Sequence, residues 1–269
     1  MPVYKDIPYI PDGDPKHTLD LYIDDQPTLG ENRKLPLVIF IHGGAWRTGD
    51  KSEFSSLCAG MLRTTGGRVA VAAINYRLSV HGDKGTMHPM HLDDAATAVS
   101  FLLAPGTCYP GNDRINSNRT FLVGHSAGAH LATMMVLQPH PKVAGSLLSI
   151  DGVLGVGGIY DIPGLLDTNS SYSDFIDMAF TVAQRETASP YHVARSKASA
   201  ANNMPFLIVN STSDELVGPL QSADMARQLI CAGCTNVSLA VKDIGTHDGE
   251  LFTEKFWRIV AEFVLERQN

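Results

Sequence analysis

The sequence predicts an α/β domain, a mostly parallel sheet covered by helices, on three observations. Short β-rich runs alternate with helix-length amphipathic stretches along the chain. Two of the runs, residues 37–41 (LVIFI) and 69–75 (VAVAAIN), are apolar almost throughout, the pattern of strands buried on both faces. With 269 residues and 44% hydrophobic content, the chain suffices for one large core. No linker, charge run, repeat or low-complexity stretch divides it, so residues 1–269 are read as a single domain.

The elements follow in order. Residues 17–23 alternate like an early strand, and 37–41 form the first fully buried one. A helix is expected over 51–65, stopped by Gly66 and Gly67, and 69–75 returns as a buried strand. Residues 91–103 have helical spacing, with Asp93 and Asp94 favourable in the first turn. A short strand at 120–123 and a buried helix at 127–137 come next, then a strand over 143–150. Strand 205–210, helix 220–230, strand 237–244 and helix 252–266 complete the alternation. Residues 155–201 interrupt it. They are rich in Gly, Ser, Asp and Pro, with one apolar group around Phe175 and Phe180. That segment is expected to be a surface excursion with a small helix, a lid over a pocket.

Composition narrows the partners. A formal charge of −7 argues against a nucleic-acid partner, because phosphate binding calls for a basic excess. Residues 1–14 carry acids and prolines rather than an apolar run, and no stretch approaches the roughly 20 apolar residues of a membrane span. A soluble cytoplasmic protein with no membrane partner is expected. Cys231 and Cys234 form a CxxC, but no second one accompanies it, and Ala232-Gly233 reads as a glycine-terminated helix end. With Cys58 and Cys108 they are expected to be free thiols in a reducing compartment.

The sharpest local signal is Gly124-His125-Ser126-Ala127-Gly128, a GxSxG. The letters alone recur by chance; a strand before them and a buried helix after them make them specific. A tight strand-to-helix turn in that context exposes a serine nucleophile at the sheet edge. His42-Gly43-Gly44-Ala45-Trp46 follows directly on strand 37–41. Acyl transfer needs prepositioned donors for the oxyanion of its tetrahedral intermediate, and a Gly-Gly turn brings main-chain N–H groups close to substrate. Donors from Gly43, Gly44 and Ala45, with that of Ala127, would complete the hole.

In this order and separation, HGGAW and GHSAGAHLA resemble the esterase and lipase branch of the α/β-hydrolases. They are especially similar to small carboxylesterases and to kynurenine formamidases (arylformamidases), over nearly the whole chain from His17 onward. The resemblance implies the α/β-hydrolase fold, with an eight-stranded, mostly parallel sheet and a Ser-Asp-His triad in that chain order. Ala45 stands where the broader family often has a third glycine, which leaves open which two N–H groups act. Family order puts the acid after the penultimate strand. Asp214 in PFLIVNSTSDELV fits, with Glu215 as its neighbour and Asp161 in the GIYD segment as a rival one strand earlier. It puts the base after the last strand, and of ten histidines only His247 lies there.

Other residues are weighed against plainer roles. His88, His91, Asp93 and Asp94 could suggest a metal, but they flank a helix start and need not converge, so no metal is expected. His125 and His130 flank the serine and are read as tuning or packing the elbow rather than transferring protons. Trp46 and His125 are the candidate substrate-contacting residues, with packing as the alternative for Trp46.

The expected function is hydrolysis of a small carboxylic ester through an acyl-enzyme, without cofactor or metal. N-formylkynurenine hydrolysis is the alternative, because the GIYD segment and Ser189-Pro190 resemble the formamidases. A thioester or lactone hydrolase and a catalytically inactive ligand-binding protein stay open as well. Intact candidates for every triad role argue against the last. Oligomeric state is open, a homodimer included.

Overall fold

In a computed structural model, residues 3–24, 34–83, 85–138, 140–143, 145, 149–197 and 203–266 are described. The strands are β1 (Val3–Pro8), β2 (Thr18–Tyr22), β3 (Leu35–Ile41), β4 (Ala70–Ile74), β5 (Ile115–His125), β6 (Ile150–Val156), β7 (Phe206–Ser211) and β8 (Val237–Lys242). They join in one sheet in the order β1-β2-β4-β3-β5-β6-β7-β8. Only the β1–β2 and β2–β4 pairs are antiparallel; every other pair is parallel.

Alternation along a strand sends neighbouring side chains to opposite faces. In β3, Leu37, Ile39 and Ile41 enter one core cluster while Val38 and Phe40 enter the other. The first cluster is covered by α2 (Met90–Leu103), α3 (Ala127–Leu137) and α8 (Pro219–Cys231). The second is covered by α1 (Ser55–Thr64) and α9 (Glu254–Leu265), whose Met61, Phe256 and Val260 pack under the sheet. Both faces are therefore dry, which is why the central strands read as unbroken apolar runs. Helix α3 is buried on every side.

Several elements differ from expectation. Strand β1 carries no apolar signal because it is an edge strand, half exposed and bulged between Tyr4 and Ile7. The strand expected at 143–150 begins only at Ile150 and runs on to Val156; residues 144 and 146–148 lie outside the described residues. Gly152 and Gly155 within it mark close packing rather than a turn. A Cβ on Gly152 would lie 2.7 Å from Phe263 Cζ, and one on Gly155 would meet the Tyr160 hydroxyl. Residues 51–54 form a 3-10 turn capped by Asp50, which accepts from the Ser52 N–H at 3.0 Å, before α1 begins.

The interrupting segment gives its first two residues to β6 and then forms four short helices rather than one. These are α4 (Ile162–Thr168), α5 (Ser173–Ala179), α6 (Gln184–Thr187) and α7 (Pro190–Lys197); residues 198–201 lie outside the described part. The four cysteines are unpaired. Cys231 is the last residue of α8, and Gly233 follows with φ 95°, a helix end rather than a CxxC site. No helix among the described residues is long and apolar enough to cross a membrane.

Parallel strands place their carboxyl ends on one edge, where sites in open α/β sheets form. The turns after β3, β5, β7 and β8 carry HGGAW, Ser126, Asp214 and His247 respectively.

Candidate active site

Ser126 sits between the end of β5 and the start of α3 with φ 53° and ψ −117°, a strained conformation for a residue with a side chain. Its main chain is held firmly. The N–H donates to the Val156 carbonyl at 3.0 Å, and its own carbonyl accepts from Ala129, His130 and Ile159. The flanking glycines are required by contact. A Cβ on Gly128 would strike the Ile41 carbonyl and come within 2.6 Å of the His42 carbonyl; one on Gly124 would come within 2.6 Å of the Ala129 Cα. Gly128→Ala is therefore expected to cost about 3 kcal/mol or more of folding stability. A urea midpoint unchanged from wild type would show that β3 and α3 are not in this contact.

The turn after β3 runs through three consecutive positive φ values, 97° at Gly44, 51° at Ala45 and 57° at Trp46. The N–H groups of Arg47 and Thr48 both return to the Gly44 carbonyl. Those of Gly43, Gly44, Ala45 and Ala127 have no partner among the described residues. Four unspent donors beside the elbow suit a developing oxyanion. The turn is braced from below: the Tyr76 hydroxyl donates to the His42 carbonyl at 3.0 Å, and His42 Nδ1–H donates to the Gly43 carbonyl at 2.8 Å. The His42 ring is stacked between Phe54 and Tyr76. Burial lowers its pKa to about 4, so it is neutral packing at neutral pH.

Asp214 Oδ2 accepts from His247 Nδ1–H at 2.8 Å. Its Oδ1 accepts from the N–H groups of Leu216 (3.0 Å) and Val217 (2.8 Å), which fixes the carboxylate plane. With Nδ1 as donor, the imidazole presents Nε2 as a lone-pair acceptor. Glu215 holds the loop rather than the ring, since its Oε2 accepts from the His247 main-chain N–H at 3.0 Å. Asp161 is occupied elsewhere, capping α4 through the Gly164 N–H and meeting His192 at 3.1 Å.

Ser126, His247, Gly44 and Ala45 line one cavity of about 500 Å3. Among the described residues no hydrogen bond joins the serine hydroxyl to His247; such bonds commonly tighten only in the substrate complex. The cavity wall is apolar at Ile159, Leu165, Leu216 and Val217, and aromatic at Tyr172 and Phe175. Arg47 lies over the Phe175 ring at 5.4 Å.

Two expected pocket residues lie behind this wall. Trp46 is fully buried, edge-on to His130 (5.0 Å) and Phe180 (4.8 Å), and does not line the cavity. Its indole packs within the core, beneath the turn that precedes it. His125 is also buried away from the cavity, because it is the last residue of β5 and points to the opposite face from its strand neighbours. Its Nε2–H donates to the His247 carbonyl at 3.0 Å. The His88, His91, Asp93 and Asp94 group disperses: Asp93 takes His140, Asp94 takes Arg77 and His17, and His91 takes Ser79. His130 Nε2–H donates to the Ala188 carbonyl.

Sequence reasoning missed Glu250. It is fully buried beside Asp214 and His247, and burial, then Asp214, Asp248 and Glu215, push its carboxyl up to about 9. Nothing in the local sequence GELF sets it apart.

A model of the BD-FAE family matches residues 19–229. A kynurenine formamidase of Meyerozyma guilliermondii is 32% identical over 199 residues, 70% of this chain and 69% of that protein. The kynurenine formamidase-like hydrolase fscH of Fusarium equiseti is 30% identical over 184 residues, 60% of this chain and 58% of that protein. A truncated carbohydrate esterase from gut microbiota superposes with a TM-score of 0.76 at 18% identity, over 99% of this chain and 96% of that one. The structural likeness establishes a shared fold. With the elbow, the glycine turn and the family match in one frame, this chain is a member of the BD-FAE family of α/β-hydrolases.

Proposed function

We propose that this protein is a serine hydrolase that cleaves a small carboxylic ester through an acyl-enzyme. One observation carries the reading: the 2.8 Å Asp214–His247 hydrogen bond sits on the cavity that also exposes Ser126 and the Gly44-Ala45 turn. Ser126 Oγ attacks the ester carbonyl carbon while His247 Nε2 takes its proton, and Asp214 fixes the tautomer and stabilises the imidazolium. The oxyanion that forms receives hydrogen bonds from the free N–H groups of the glycine turn and Ala127. Collapse breaks the C–O bond, and the imidazolium returns its proton to the departing alcohol. Water, deprotonated by His247, then releases the acid and restores Ser126.

The cavity volume of about 500 Å3 suits a small substrate, and Leu165 of α4, Phe175 of α5 and Tyr172 on the turn between them would cap it. The second reading is arylformamidase activity, favoured by the fungal formamidase relative. There the formyl group is transferred to Ser126 and an aniline departs. The test is the ratio of kcat/KM for N-formylkynurenine to that for 4-nitrophenyl acetate, with the Ser126→Ala background subtracted. A ratio below one with clear ester turnover is expected, and a ratio of about 100 or more would make the formamide the true substrate class. Failure of a fluorophosphonate probe to label folded wild type would replace both readings with ligand binding.

A further inference from the structure

Behind the triad residues lies a second layer of titratable side chains. Glu250, on the 3-10 turn Gly249–Phe252, is fully buried, and among the described residues neither carboxyl oxygen has a hydrogen-bond partner. The Ser211 main chain polarises it weakly without forming a bond of normal geometry. Its Oε1 lies 3.8 Å from His125 Nε2. Its carboxyl, that of Asp214 and the His247 ring nitrogen all lie within 4.8 Å of one another. These groups converge on Gly157, where a Cβ would fall 2.9 Å from Glu250 Oε1, 3.0 Å from Asp214 Oδ2 and 3.1 Å from His247 Cε1.

We infer that His125 holds the His247 main chain in register with Ser126, that a neutral Glu250 behind it leaves this bond undisturbed, and that ionisation of Glu250 releases it. This rests on the triad proposed above. His125 has one N–H to give, and because a carbonyl can only accept, that proton is on Nε2, directed at the His247 carbonyl. The other ring nitrogen has no partner among the described residues and packs against the glycine turn, with a Gly43 Cβ position only 2.7 Å away. One imidazole thus bridges the oxyanion turn and the base-bearing loop.

The groups facing Glu250 are Asp214 and Glu215 from the loop after β7, and His247 and Asp248 from its own loop. His125 faces it from the end of β5 and the Tyr160 hydroxyl from the segment after β6. Three of the six are acids, so an anion on Glu250 has no local compensation. Burial, then His247, holds the His125 pKa well below its ordinary value, so no cation forms there either. The 3.8 Å approach is a contact between two neutral groups. A carboxylate at the same place would be a stronger acceptor than the His247 carbonyl for the one Nε2–H. Ionisation would therefore draw His125 off His247 and loosen the base.

The sign for stability follows. The folded-state pKa of Glu250 is raised from 4.5 to about 9, so the native protein keeps a proton that the unfolded chain releases. Its contribution to stability is full below 4.5, falls as pH rises through that window, and is constant above about 9.

Glu250→Gln preserves shape and removes the ionisation. In 4-nitrophenyl acetate hydrolysis from about pH 6 to 11, with the Ser126→Ala background subtracted, wild-type kcat is expected to fall above about pH 9 at steady KM. In Glu250→Gln the alkaline fall should vanish, with kcat at neutral pH within about threefold of wild type. An unchanged alkaline limb, or a shift of the acid limb, would overturn the inference. A second readout needs no turnover. The infrared difference spectrum between neutral and alkaline pH should show a protonated carboxyl band lost in wild type and missing in Glu250→Gln. Absence of that band from wild type overturns the inference as well. If Ser126→Ala kept full activity, the triad would fail while the infrared band still reported on Glu250.

Discussion

Ser126→Ala is expected to lower kcat for 4-nitrophenyl acetate by about 10,000- to 1,000,000-fold, leaving only what binding and the main-chain donors supply. The thermal midpoint should stay within about 3 °C of wild type. The elbow is fixed by the main chain of Ser126, through Val156, Ala129, His130 and Ile159, and not by its hydroxyl. Alanine keeps the Cβ, so it neither relieves nor adds to the strain at φ 53°. His247→Ala should lose a similar factor in rate with a further loss of about 1–3 kcal/mol in stability, because Asp214 Oδ2 loses its donor in a buried place. Stopped-flow turnover with calorimetry on both variants checks this. A Ser126→Ala enzyme with near-normal turnover would mean another nucleophile.

Asp214→Asn should cost about 1,000- to 10,000-fold in kcat, and the geometry says why. Oδ1 accepts from the N–H groups of Leu216 and Val217, so an asparagine must place its carbonyl oxygen there and turn its NH2 toward His247. An NH2 at that position donates to Nδ1, forces the ring proton onto Nε2, and leaves no lone pair to receive the serine proton. Glu215→Gln keeps an acceptor for the His247 main-chain N–H and should stay within about fivefold of wild type. Asp161→Asn still caps α4 and should behave likewise. Near-normal activity in Asp214→Asn together with loss in either of the others would reassign the acid.

The legible parts of the molecule are those enforced within a few residues. GHSAG requires its glycines because α3 and β3 leave no room for a Cβ, so the motif and its strand–helix context announce the same turn. The central strands are legible because both faces of the sheet are covered and nearly every position is apolar. Less legible are β1, an edge strand half in water, and β6, whose Gly152 and Gly155 look like turn residues until Phe263 and Tyr160 are seen against them.

The alternation of strands and helices, the strained serine turn and the glycine turn are written into the residues themselves, whereas the chain order of the candidate triad is what the family resemblance implies. Local sterics and apolar periodicity act between near neighbours and leave their mark in any short window. That Asp214 takes the His247 ring while Glu215 takes its main chain is a property of the folded chain, with no trace in either local segment. Folding likewise places Trp46 in the core, turns His125 onto the His247 carbonyl, and buries Glu250 among three acids. Such roles depend on which groups from separate segments share a low-dielectric space, 33 residues apart for Asp214 and His247 and 122 for His125 and His247.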